Sequence, residues 1–76
     1  MELNDFIKNF ASQFEETDAN LFAAKTNYKE LDEWSSLLTL SIIAMVDEEY
    51  GIIIKGEDIR NPQTIEELFE LVKSKK

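Results

Sequence analysis

The chain has 76 residues, with no cysteine and no histidine, and sets eight Lys and Arg against sixteen Asp and Glu for a net charge of −8. That length makes a single small domain over residues 1–76. The missing residue types exclude disulfides, Cys-based metal sites and any Ser–His or Cys–His nucleophile pair. The charge disfavours nucleic acid and anionic membrane as partners and favours basic patches on other proteins.

The opening Met1-Glu2-Leu3-Asn4-Asp5 is acidic where a secretory signal would be basic, and no apolar run reaches the ~20 residues of a membrane span. A soluble, cytoplasmic, monomeric chain is the expectation. With 43% hydrophobic residues, five of them Phe, stability must come from apolar packing.

In chain order, Leu3, Phe6, Ile7, Phe10, Ala11 and Phe14 recur at the spacing of one helical face, which predicts a first helix. Asn4 is its candidate N-cap, and its end is expected near Glu15–Asp18. Residues 17–35 read as a long connection, tacked to the bundle by Phe22, Tyr28, Leu31 and Trp34. The spacing predicts a second helix over Ser36–Tyr50, with Thr39, Ile42, Ile43, Val46 and Tyr50 as its core face and Gly51 as its C-cap.

Ile52-Ile53-Ile54 has strand propensity but no partner strand, so it reads as an extended crossing segment with alternate side chains buried. A short helical turn over Glu57–Asn61 follows, contributing Ile59 to the core. The last helix starts at Thr64-Ile65-Glu66-Glu67, a capping-box sequence just after Pro62. It buries Ile65, Leu68, Phe69 and Val72, and Lys73, Lys75 and Lys76 gather at its C-terminus. The expected fold is therefore all-α: a small bundle of three main helices and one short helix, with a long loop between helices 1 and 2.

Little chemistry is available to such a chain. Consecutive acids such as Asp47-Glu48-Glu49 point about 100° apart on a helix and do not converge on a metal; Glu66 and Glu70 share a face but read as a solvated surface. Two glycines cannot build a phosphate cradle. The remaining feature is Asp32-Glu33-Trp34-Ser35-Ser36-Leu37, which places two serines at a helix start. Taken alone, such a serine is a cap.

In its context the segment resembles the acyl carrier protein family. There a Ser-Leu pair, usually preceded by Asp, opens the second helix, which closes on acids, an aromatic residue and often Gly. Here Ser36-Leu37 opens the helix and Asp47-Glu48-Glu49-Tyr50-Gly51 closes it. Ile52-Ile53-Ile54, Glu57-Asp58-Ile59 and Thr64-Ile65-Glu66-Glu67-Leu68 look like the family's later segments, and Tyr28 to Leu31 like the residues ahead of its serine. The resemblance covers essentially the whole chain. It departs from the family at Ser35, which stands where Asp is usual, and at Leu38 and Ser41, where family members often carry acids.

The resemblance implies no catalysis within the chain. It implies a freestanding carrier of acyl thioesters on a 4′-phosphopantetheine arm, donated by coenzyme A through a phosphopantetheinyl transferase and attached to Ser36. The implied partners are an acyl or aminoacyl ligase, a ketosynthase or an acyltransferase with a basic docking patch, in fatty acid, polyketide or related biosynthesis. A D-alanyl type carrier and an unmodified adaptor are the alternatives. On the helical projection Leu37, Leu38, Leu40, Ser41, Ala44 and Met45 lie off the expected core face, with Asp47 and Glu48 farther along, and form the expected partner surface. The competing arrangement has the long loop folded over Leu38 and Met45.

Overall fold

The computed structural model describes residues 2–75. Among them are four α-helices and no strand: α1 (Leu3–Ala11), α2 (Ser36–Tyr50), α3 (Gly56–Arg60) and α4 (Ile65–Ser74), with single 3-10 turns at Ala19–Leu21 and Tyr28–Glu30. The fold is the expected all-α arrangement of three main helices and one short one. None of the described helices is long and apolar enough to cross a membrane.

The apolar stripe sets where α1 begins. Leu3 is already in the helix and packs against the core, so the N-cap position falls on Glu2, not Asn4, and no side chain caps it. The helix also stops earlier than expected. After Ala11 the chain tightens, with Phe14 N–H donating to the Ala11 carbonyl at 3.0 Å, and this turn carries Phe14 into the core. The Asn9 carbonyl there accepts from Ser12 Oγ and Gln13 Nε2, so side chains take over helical bonding.

Helix α4 starts as read, with Thr64 Oγ1 accepting from Glu67 N–H at 3.1 Å. Glu67 accepts from Gln63 N–H rather than from Thr64 itself, so the reciprocal half of the box is displaced by one residue. Lys73 lies over the Phe69 ring at 5.8 Å and Lys75 pairs with Asp58 at 3.6 Å. Lys76 lies outside the described residues.

Helix α1 packs on α2 and α4, and α3 bridges α2 and α4. Their inner faces meet in one core that includes Phe6, Phe10, Ile42, Val46, Ile59, Ile65, Leu68 and Val72. Gly51 ends α2 in the left-handed region at φ 66°, its N–H donating to Asp47. The chain beyond it is extended, burying Ile52 and Ile54 and leaving Ile53 exposed, as the alternation predicts.

The long connection is bonded into the bundle at several points. Carbonyls of Ala24 and Thr26 accept from the N–H groups of Glu66 and Ile65 at 3.0 and 3.1 Å, so the loop satisfies the first turn of α4. Asn27 and Thr64 form an isolated antiparallel bridge. Tyr28 is fully buried, with its hydroxyl facing the carbonyls of Ile59 and Pro62. Burial pushes that phenol well above its ordinary pKa, so it stays a donor at every physiological pH.

Candidate functional site at the start of helix α2

Two adjacent serines begin α2, and the backbone gives them different tasks. Ser35 has extended backbone and is the N-cap: its Oγ accepts from Leu38 N–H at 3.4 Å and its carbonyl from Thr39 N–H at 3.0 Å. Ser36 is the first helical residue. It is exposed, and its hydroxyl makes no hydrogen bond to any described residue. The N–H groups of Ser36 and Leu37 likewise have no acceptor among the described residues, which leaves the positive end of the helix open beside that hydroxyl.

The residues just upstream fix this start. Trp34 is half-buried, as its size in a polar stretch predicts. It stacks on Phe10 and Phe14, with centroids 6.3 and 6.2 Å away, and meets Tyr28 edge-on at 5.0 Å. Beside it, the Glu33 carboxylate accepts from the N–H groups of Glu15, Glu16 and Thr17 and from Thr17 Oγ1, at 2.7–3.1 Å. The Thr17 hydroxyl, with those backbone N–H groups, holds this carboxyl below its ordinary pKa. Trp34 and Glu33 thus both anchor the end of the loop, one through apolar stacking and one through charge-assisted bonds.

Ser36 lines an open groove of about 550 Å³ together with Trp34, Ser35, Thr39, Leu40, Ile43, Gly56 and Arg60. Its walls are α2 and α3. No carboxylate is among the described residues lining it, although the chain carries sixteen. A neighbouring cleft bounded by Glu16, Asp18, Glu30, Asp32 and Glu33 holds the opposite charge. Arg60 is a site residue that helix periodicity did not single out, and Thr39 and Ile43, expected in the core face, line the groove instead. The available signal was that Arg60 is the sole arginine and sits in the predicted short turn.

The expected partner surface divides. Leu37 and Leu40 are exposed, at 72% and 63%, with Ala44, Asp47 and Glu48 also exposed and Ser41 at the margin. Leu38 and Met45 are not part of it: they are buried in the core at 7% and 4% exposure. The buried face of α2 is Leu38, Ile42, Met45 and Val46, turned by roughly 70° from the expected face of Thr39, Ile42, Ile43, Val46 and Tyr50. The reason is the helix's composition. It is apolar around most of its circumference, so periodicity does not fix which face turns inward. Thr39, Ile43 and Tyr50 are half-buried at the edge, where Tyr50 Oη accepts from Asn9 Nδ2 at 2.9 Å.

Among the described residues no three carboxylates converge on a point where they could hold a metal ion. Comparison with known proteins gives no matching family model, and neither a curated protein nor a solved structure matches the chain.

Proposed function

We propose that the chain is an acyl carrier protein, modified with phosphopantetheine on Ser36. The observation that carries this reading is the division of labour between the serines. Ser35 is committed to capping α2, while Ser36 offers an exposed, unbonded hydroxyl at the mouth of a groove. The departure from the family's Asp is thereby accounted for in physical terms, since Ser and Asp are comparably good N-caps and either holds the next hydroxyl in place.

In the transfer, Ser36 Oγ attacks the phosphorus of coenzyme A that bears the pantetheine. A phosphate ester forms, the pyrophosphate bond breaks, and adenosine 3′,5′-bisphosphate departs. The hydroxyl proton passes to the transferase, because this chain has no histidine to receive it. The open N–H groups of Ser36 and Leu37 favour the new phosphate by the positive end of the helix. The arm, when attached, supplies a thiol that holds an acyl group as a thioester, and a chain without cysteine adds no competing thiol of its own.

Delivery then needs a surface that enzymes can grip. Leu37, Leu40 and Ala44 form an exposed apolar strip beside Ser36, with Asp47 and Glu48 at its far end. It suits a partner with an apolar pocket and a basic rim, in which burial at the centre holds the complex and the acids steer approach.

The test is intact mass after incubation with coenzyme A and a promiscuous phosphopantetheinyl transferase. The wild-type chain and Ser35→Ala gain one phosphopantetheinyl group, and Ser36→Ala gains none. Absence of gain in the folded wild type overturns the reading, and blockage by Ser35→Ala alone moves the site by one residue.

A further inference from the structure

Resting on that reading, we infer that Arg60 binds the phosphodiester of a group attached to Ser36 and so holds the root of the arm against the α2–α3 groove. The groove is an electrostatic exception. In a chain with net charge −8, the described residues lining it include no carboxylate and one cation, the Arg60 guanidinium. That guanidinium has no ion-pair or hydrogen-bond partner among the described residues, unlike Lys25 with Glu66 and Lys75 with Asp58.

The local backbone leaves room for it there. A Cβ placed on Gly56, one helical turn earlier, would come 3.2 Å from Arg60 Nη1. The side chain therefore folds back over the glycine along α3. Lys29 Nζ donates to the Arg60 carbonyl at 2.6 Å, tying that end of α3 to the long loop. A guanidinium presents paired donors matched to two phosphate oxygens, which an ammonium does not. A phosphate at Ser36 would lie beside the open α2 amides in the groove that Arg60 also lines, and Leu40 and Ile43 would offer the pantetheine chain an apolar wall.

Because Arg60 is the sole arginine, its Nε–Hε cross-peak in a ¹⁵N-correlated spectrum is assigned by inspection. That signal should shift when the chain is converted to the form carrying phosphopantetheine. Free coenzyme A at the same concentration should move it much less. In Arg60→Gln, an exposed change, the melt should stay as in the wild type, and the ³¹P resonance of the attached phosphodiester should return towards its position in a flexible ester. Arg60→Lys should restore only part of the ³¹P shift. An unmoved cross-peak in a sample that mass spectrometry shows to be fully modified overturns this inference and leaves the carrier reading standing. Equal shifts from free coenzyme A also overturn it, reducing the guanidinium to a general anion contact. A wild-type chain that gains no mass removes the carrier reading and the inference with it.

Discussion

Truncating Leu38 to alanine while truncating its neighbour Leu37 in parallel tests which face of α2 is core. Leu38 is 7% exposed and Leu37 is 72% exposed, so two identical chemical changes one residue apart should differ sharply. Buried Leu→Ala changes cost about 2–5 kcal/mol, and a site with a little residual exposure belongs near the low end, about 2–3 kcal/mol. A chain of this length has a total stability of roughly 4–11 kcal/mol. Leu38→Ala therefore removes a large fraction of it and lowers Tm by about 10–20 °C. Leu37→Ala should stay within about 0.5 kcal/mol of the wild type. Thermal and urea melts followed by circular dichroism measure both. Under the proposed carrier function the same pair should separate again: Leu37→Asp should melt normally but impair transfer to a partner enzyme, whereas Leu38→Asp should fail to fold. A Leu38→Ala melt that overlays the wild type, or an equal loss in Leu37→Ala, would refute the assigned rotation of α2.

Gly51→Ala forces a Cβ into the left-handed region at φ 66° with no clash to relieve, so its cost is purely backbone, about 1–2 kcal/mol, and Gly51→Asn should recover much of it in a urea melt. Tyr28→Phe deprives the Ile59 and Pro62 carbonyls of their buried donor, for a loss of about 1–2 kcal/mol in the same assay. Glu33 has a carboxyl pKa lower in the folded chain than in the unfolded one, so its contribution is complete above the unfolded value of about 4.3 and is lost as pH falls through the folded value. Urea midpoints of Glu33→Gln and wild type should accordingly differ at pH 7 and converge as the medium is acidified through that window; a constant difference would remove the carboxylate from the explanation.

Much of this architecture is legible in the sequence because its signals are local. Thr64 ahead of an amphipathic run fixes the start of α4, Gly51 fixes the end of α2, and the alternation at Ile52–Ile54 fixes which isoleucines turn inward. The rotation of α2 was not legible, because a helix with leucine, isoleucine or methionine on nearly every side presents several equivalent inner faces. Only contact with its neighbours in the bundle selects Leu38 and Met45. The anchoring of Glu33 was also hidden, since it joins residues sixteen to eighteen positions apart and leaves no periodic trace. At the candidate site, the start of α2 at Ser36 was legible through its spacing to Gly51, whereas the groove facing it depends on how α3 is set against α2.

The bonds between the long loop and α4 change how the domain comes together. The N–H groups at the start of a helix ordinarily face water and exchange quickly. Here those of Ile65 and Glu66 close on carbonyls about forty residues earlier in the chain, at Thr26 and Ala24. Opening the first turn of α4 therefore requires lifting the loop, and lifting the loop pulls Tyr28 from its place beneath α3. Segments that would fray separately in a simple bundle are coupled into one cooperative unit, and forming it demands closure of long chain separations that slow a helical domain's folding. Insertions around residues 24–28 would uncouple that unit.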